Sequence, residues 1–143
     1  MSMRVAIITL SDSGYAGQRE DRSGPVIRAL AEAAGYTVAH TALLPDGVEP
    51  LASELKRLCD NDLADLILTT GGTGFSPTDL TPEATLSVVE RPAPGIAEAM
   101  RWNSLRITPR AMLSRAAAGI RKQALIVNLP GSPKAVRECL EFI

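Results

Sequence analysis

Apolar residues along the chain follow two alternating patterns: short continuous runs, and longer segments with a helical period. The continuous runs predict strands at residues 4–10, 37–44, 64–70 and 123–129. The helical segments are residues 23–36, 49–60, 81–90, 95–105, 108–120 and 131–143. Strands that alternate with helices pair in parallel through right-handed crossovers, so this order predicts an α/β fold. We expect a three-layer, open, doubly wound, mostly parallel sheet with helices on both faces and strands buried on both sides.

Several predicted helices begin at a hydroxyl residue, which is the usual N-cap. Thr81, Thr108 and Ser132 are each followed directly by proline, a residue favoured in the first helical position. Ser23 is expected to cap the helix of residues 23–36 in the same way, and Gly35 to end it.

Composition narrows the function classes. The 143 residues suffice for one domain, 1–143, with a single good core. With 15 Lys and Arg against 16 Asp and Glu, and no basic block, the chain shows no sign of a nucleic-acid partner. No apolar run approaches the ~20 residues of a membrane span, and the first residues do not resemble a signal peptide. We therefore expect a cytoplasmic protein that does not bind membranes.

The loops that follow the predicted strands carry the polar chemistry. Residues 11–14, 45–47, 70–79 and 130–133 are rich in glycine, small hydroxyl residues and aspartate. In an open parallel sheet, ligands bind outside the carboxyl ends of the strands, where such loops meet. The sequence thus predicts an active site along one rim of the sheet.

Gly71, Gly72 and Gly74 make the third of these loops the most distinctive. Glycine allows positive φ angles and a close approach to a ligand, and successive amides in such a turn can attract phosphate. The predicted helix start at Thr81 adds partial positive charge. No lysine follows the glycines, as it does in a P-loop. An ordinary glycine turn is the alternative.

Asp46 and Asp79 lie in two of the rim loops. A carboxylate beside a phosphate is unfavourable unless a cation lies between them, and Mg²⁺ prefers one or two carboxylates together with phosphate oxygens. The two aspartates are therefore candidate metal ligands. A simple turn residue is the alternative for Asp46, and a residue that merely precedes a helix is the alternative for Asp79. Arg115 and Lys134 are candidate anion contacts, with solubility as the alternative.

The segment "TTGGTGFSPTDLTPEAT" resembles the molybdopterin adenylyltransferase family of molybdenum-cofactor biosynthesis, which includes the G domain of gephyrin. The resemblance extends to "SDSGYAGQREDRSGP", to "LLPD" and to "ITPRAMLSRAAAGIRKQALIVNLPGSPKAVRECLEFI", so it spans nearly the whole chain. The chain departs from the family at Thr78, where many relatives have arginine, and relatives usually continue beyond residue 143 into a further helix.

The resemblance implies a homotrimeric enzyme that uses Mg²⁺, and ATP as co-substrate, to convert molybdopterin into adenylylated molybdopterin and pyrophosphate. It implies that Asp46 and Asp79 are the catalytic and metal-binding residues. The implied nucleotide-binding residues are Ser11, Asp12, Gly71, Gly72, Thr73 and Gly74. The implied molybdopterin-binding residues are Ser114, Asn128, Pro130, Gly131 and Ser132. The product would pass to a separate molybdate-insertion protein.

Two other functions are compatible with the same loops. One is a non-catalytic trimeric module that binds molybdopterin or acts as a scaffold. The retention of both Asp46 and Asp79 argues against it, because a carrier does not need a metal pair. The other is a related enzyme that hydrolyses a pyrophosphate bond with a positioned water.

Overall fold

The computed structural model describes residues 2–18 and 20–143. Its sheet consists of strands β1 Arg4–Leu10, β2 Thr37–Leu44, β3 Leu66–Thr70, β4 Arg91–Pro92, β5 Ala118–Arg121 and β6 Ala124–Leu129, arranged in the order β2-β1-β3-β6-β5-β4. The contacts β2-β1, β1-β3 and β3-β6 are parallel, whereas β5 is antiparallel to both β6 and β4. The predicted mostly parallel α/β sheet is confirmed.

Helices cover both faces of this sheet. They are α1 Asp12–Tyr15, α2 Ser23–Ala33, α3 Val48–Asp60, α4 Thr81–Val88, α5 Pro94–Ser104 and α6 Pro133–Phe142, with a 3-10 turn at Pro109–Leu113. Ala6 and Ile8 of β1 pack in one core with α3 and α4, while Val5 and Ile7 pack in a second core with α2, α5 and α6. This alternation produces the three predicted layers. None of the helices in the described part of the chain has the length and apolarity that crossing a membrane requires.

Strand β2 differs from the prediction of burial on both sides. It lies at the edge of the sheet, and Thr37, Ala39 and Thr41 are exposed while Val38 and His40 are partly buried. Because β2 pairs with β1 alone, one of its backbone edges has no neighbouring strand in the sheet.

The helix predicted at residues 108–120 is wrong. Only the 3-10 turn forms, and the chain then extends into β5, which forms an antiparallel hairpin with β6. The alanine-rich segment favours a helix locally, but pairing with β6 satisfies its backbone and buries Ala116 and Ala118 in the second core. A Cβ on Gly119 would collide with the Val89 side chain, so the close packing depends on glycine. The two-residue strand β4 was also not predicted.

The predicted caps at Thr108 and Ser132 are confirmed, since both side chains accept hydrogen bonds from backbone amides in the first turn. Ser23 and Thr81, in contrast, are the first residues of their helices and not caps. The Ser23 hydroxyl donates to the Gly131 carbonyl at 2.5 Å, and the Thr81 hydroxyl to the Gly71 carbonyl at 2.8 Å. Both helix starts are thereby tied to loops at the rim of the sheet.

Candidate active site

The loops that follow β1, β3 and β6 meet at the carboxyl ends of these neighbouring strands. The Gly71 amide donates to the Leu129 carbonyl at 3.3 Å, and the Thr70 hydroxyl donates to the Pro130 carbonyl at 2.5 Å. A Cβ on Gly131 would lie 3.5 Å from the Cα of Gly71. The glycine loop and the "NLPGSP" loop are therefore in contact, as the position of both at one rim predicted.

A crevice with a cavity volume of about 400 Å³ opens between these loops. That volume falls within the range of small-molecule sites. Its lining includes Ser11, Arg22, Ser23, Gly71, Gly131 and Ser132. The helices α2 and α6 both begin at its wall, and helix N-termini attract anions. The structure thus brings together four of the predicted site residues, namely Ser11, Gly71, Gly131 and Ser132.

The glycine loop requires its glycines for different reasons. Gly71 has a φ of +96°, and a Cβ there would lie 2.5 Å from the carbonyl oxygen of Leu10. Gly72 has a φ of +72° and packs against the Thr81 side chain. A Cβ on Gly74 would lie 2.8 Å from Oδ2 of Asp79, so the absence of a side chain leaves space for that carboxylate. The first two glycines shape the loop, and the third accommodates a predicted metal ligand.

Asp46 and Asp79 occupy different loops, and the charge of Asp79 acts on the Asp46 carboxyl. The pKa of the Asp46 carboxyl is raised, chiefly by burial, and the negative charges of Asp12 and Asp79 add to the increase. A hydrogen bond from the Asp12 amide acts in the opposite direction and lowers that pKa. The Asp79 carboxylate accepts a hydrogen bond from the Ser76 amide at 3.0 Å. Within residues 2–18 and 20–143, no group of three or more His, Cys, Asp or Glu side chains forms a ready-made metal cage.

The predicted molybdopterin-binding residues are divided among three environments. Gly131 and Ser132 line the crevice. Ser114 and Pro130 line a second, smaller cavity of about 200 Å³ between α5, the 3-10 turn and α6. Asn128 is fully buried, and its amide group donates to the Thr69 and Thr85 hydroxyls at 3.0 and 2.9 Å and accepts from the Ala117 amide at 3.0 Å. The Asn128 side chain therefore has no polar atom left for a ligand.

Two arginines lie near the site: Arg22, which the sequence analysis missed, and Arg115, which it named as a candidate anion contact. Arg22, an exposed residue, lines the crevice and has no carboxylate within ion-pair distance among the described residues. Arg115 is bound internally: its backbone amide donates to the carbonyl of Thr73, a buried residue, and its guanidinium pairs with Glu83. The sequence offered one signal for Arg22, which is its position just before a predicted helix. A helix that starts at the rim of the sheet places the residues next to its first turn at the site.

Comparison with known proteins points to one family. Residues 6–143 match the family described as a probable molybdopterin binding domain. A protein of Haemophilus influenzae named molybdopterin adenylyltransferase is 43% identical over 143 residues, covering 99% of this chain and 73% of the relative. A Helicobacter pylori protein of the same name is 41% identical over 144 residues, covering 99% of this chain and 82% of the relative. The crystal structure of the molybdopterin biosynthesis enzyme MoaB from Thermus thermophilus is 47% identical with a TM-score of 0.92, covering 97% of this chain and 87% of that one.

Proposed function

We propose that this chain, which belongs to the family of probable molybdopterin binding domains, is a molybdopterin adenylyltransferase. Residues 1–143 would act as one domain that transfers the adenylyl group of ATP to the phosphate of molybdopterin. The observation that carries the proposal is the crevice at the carboxyl ends of β1, β3 and β6, where the glycine loop contacts the "NLPGSP" loop. Relatives over 40% identical across 99% of the chain bear the name of this activity.

The reaction does not require a protein nucleophile. The terminal phosphate of molybdopterin is an anion at neutral pH, and one of its oxygens can attack the α-phosphorus of ATP. A new P–O bond forms, the bond between the α-phosphorus and its bridging oxygen breaks, and pyrophosphate leaves with the electron pair. What the protein supplies is positioning and charge stabilisation. Arg22 and the N-termini of α2 and α6 lie at the crevice wall, where they would offset phosphate charge.

Mg²⁺ is the divalent cation that this chemistry requires, and Asp46 and Asp79 are the residues that would hold it. Their fit rests on the space that Gly74 leaves for the Asp79 carboxylate and on the raised pKa of Asp46, whose first cause is burial and which the negative charges of Asp12 and Asp79 increase. A cation would relieve that repulsion. When bound, Mg²⁺ supplies neutralisation of the triphosphate and of the pyrophosphate leaving group. Since no three-ligand cage is present in the described residues, ATP oxygens and water would complete its coordination.

The remaining predicted residues divide between the two substrates. Ser11, Asp12 and the loop from Gly71 to Gly74 would contact the nucleotide. Gly131 and Ser132 would contact molybdopterin from the crevice wall, and Pro130 and Ser114 would do so from the second cavity. Asn128 would support the site without contacting a substrate, because its buried side-chain amide joins β6 to β3 and α4 by hydrogen bonds. These assignments remain predictions.

Assembly as a homotrimer belongs to the same proposal. Its support is a series of exposed apolar side chains between the last turn of α5 and the end of the 3-10 turn, namely Trp102, Leu105, Ile107, Met112 and Leu113. Exposing five large apolar side chains to water within twelve residues is unfavourable for a single chain, and contact with other copies would bury them. Transfer of the product to a molybdate-insertion protein, and a cytoplasmic location, also stay predictions.

The decisive experiment supplies Mg-ATP and molybdopterin and looks by mass spectrometry for adenylylated molybdopterin, together with pyrophosphate release. Asp79→Asn should lower turnover by at least about a hundredfold with the fold retained. Asp62→Asn is the matched control, since Asp62 pairs with Arg4 at the opposite end of β1. Absence of product from the wild-type chain that binds molybdopterin would support the non-catalytic module instead. ATP hydrolysis without molybdopterin would support the pyrophosphate-hydrolysing enzyme.

A further inference from the structure

Arg115 joins both ends of the glycine loop to the helix that follows it. Its Nε donates to the carbonyl of Gly74 at 2.8 Å, and its Nη2 donates to the carbonyl of Asp79 at 2.5 Å. Its backbone amide donates to the carbonyl of Thr73 at 2.9 Å. Its Nη1 pairs with a carboxylate oxygen of Glu83, in the first turn of α4, at 2.6 Å. One residue thus holds three carbonyls of the segment 73–79.

Two of these three carbonyls belong to Asp79 itself and to Gly74, which packs against the Asp79 carboxylate. Gly74 lies directly beneath that carboxylate, as the 2.8 Å approach of a Cβ there to Oδ2 shows. Residues 75–78, between the two anchor points, are exposed. Within this exposed segment the carboxylate accepts a hydrogen bond from the Ser76 amide at 3.0 Å. The anchors at Gly74 and Asp79 join the segment to the rest of the protein, and Arg115 supplies a side-chain donor to each.

The ion pair with Glu83 does not account for this arrangement by itself. The Arg115 and Glu83 side chains are 34% and 45% exposed, and ion pairs at such exposure contribute little to stability. The planar guanidinium fork is the distinctive element, because it can donate to two carbonyls and a carboxylate at fixed angles. Lysine has the charge but not the fork.

We propose that Arg115 is a positioning residue for the adenylyl transfer, which fixes Gly74 and Asp79 so that the Asp79 carboxylate meets Mg-ATP. The inference rests on the proposed function of Asp79 as a metal ligand. Arg115 does not touch the reacting atoms; it acts through the loop. Residues that orient a metal ligand commonly change metal affinity by ten- to a hundredfold when they are lost.

A second arginine provides a matched control. Arg121 makes a two-armed contact with Asp60, at 3.1 and 3.0 Å, and donates to the Val88 carbonyl at 3.0 Å. Its bonding resembles that of Arg115, yet its partners Asp60 and Val88 lie on α3 and α4 and not in the segment 73–79. Arg121→Ala therefore measures the effect on protein stability of losing an arginine with this kind of bonding, without any effect on the glycine loop.

The test compares Arg115→Ala, Arg115→Lys and Arg121→Ala in the full chain. The measurements are the Mg²⁺ concentration for half-maximal adenylyl transfer and the affinity for Mg-ATP by calorimetry. We expect Arg115→Ala to raise the Mg²⁺ requirement and weaken Mg-ATP binding by at least about tenfold, Arg115→Lys to restore little of either, and Arg121→Ala to leave both unchanged.

The outcomes separate the inference from the proposed function. If the wild-type chain makes product and Arg115→Ala matches Arg121→Ala in Mg²⁺ requirement and Mg-ATP affinity, the positioning role is overturned. If the wild-type chain makes no product, the proposed function fails, and a loss of Mg-ATP affinity in Arg115→Ala alone still supports the positioning role. Should Arg115→Ala not fold, Arg115→Lys decides, because wild-type Mg²⁺ dependence in that variant would overturn the role of the fork.

Discussion

Asp12 and Asp46 exchange hydrogen bonds through each other's backbone. The Asp46 amide donates to Oδ1 of Asp12 at 2.9 Å, and the Asp12 amide donates to Oδ2 of Asp46 at 3.2 Å. This reciprocal pair joins the loop after β1 to the loop after β2. It also places two carboxylates close together at the rim of the sheet, which is an arrangement that a cation would stabilise.

The pKa of Asp46 should respond to Asp79. Burial is the first cause of its raised pKa, and the charge of Asp79 contributes in the same direction. Asp79→Asn removes that charge, so we expect the pKa of Asp46 to fall towards its usual value. Carboxyl NMR during a pH titration measures it, with Asp62→Asn as the control. An unchanged pKa in Asp79→Asn would mean that the two carboxylates are too far apart to share a metal.

Asp46 should also give stability an unusual pH dependence. Because its folded-state pKa is raised, its contribution is fully present below the unfolded-state pKa and is lost as pH rises through the folded-state value. Relative to wild type, Asp46→Asn should therefore gain stability as pH rises through that window. Arg121 lowers the pKa of Asp60, so Asp60→Asn should show the opposite trend. Urea denaturation across a pH series measures both, and parallel curves for the two variants would contradict the assignment.

Gly71 should tolerate alanine less well than Gly35 does. Both have positive φ, +96° and +89°, but a Cβ at Gly71 would lie 2.5 Å from the Leu10 carbonyl oxygen, whereas nothing lies within 4 Å of one at Gly35. Gly35→Ala should cost about 1–2 kcal/mol for the backbone conformation alone. Gly71→Ala should cost roughly 3 kcal/mol or more, because the clash adds to it. Equal losses in urea denaturation would show that the loop relaxes away from β1.

Asn128 should matter for stability more than for substrate affinity. Asn128→Ala leaves the Thr69 and Thr85 hydroxyls and the Ala117 amide without their partner in a buried site. We expect a loss of about 2–4 kcal/mol in the free energy of unfolding. Asn103→Ala, which removes one bond to Ala99 at a partly buried position, is the milder control. A large rise in KM for molybdopterin in the folded variant, with stability unchanged, would instead make Asn128 a direct ligand contact.

The proposed trimer should depend on the apolar side chains near the end of α5. Trp102 and Met112 are both 66% exposed in the single chain, and Trp102→Ser combined with Met112→Ser should shift the trimer towards monomer. Tyr15→Ser is the control, because Tyr15 is similarly exposed, at 61%, but lies on α1. Light scattering coupled to size exclusion measures the mass. If the protein with both substitutions is still a trimer, the contact between copies lies on another surface.

The strand pattern and the meeting of the rim loops were predictable because they depend on local signals. Continuous apolar runs identified β1, β2, β3 and β6. For β1, β3 and β6 the reason is that strands between two helical layers need apolar residues along their length, whereas β2 is a partly exposed edge strand. Alternation with helices then dictated parallel pairing, and parallel pairing brought the polar loops to one rim. The glycines at 71 and 72 marked positive φ angles correctly, because few other residues adopt that conformation.

The sequence alone therefore determined the layers, the rim and the loops that meet there. The spacing of apolar residues and the backbone freedom of glycine are properties of residues close together in the chain. Only the tertiary structure decided what distant residues do to one another. It turned the helix-favouring segment before β6 into a hairpin strand, directed the Asn128 amide inwards, and set Arg115 against the carbonyls of Gly74 and Asp79. These three outcomes depend on contacts between residues that are distant in sequence. The free energy of a buried or paired polar group is set by those contacts and not by the residues next to it in the chain.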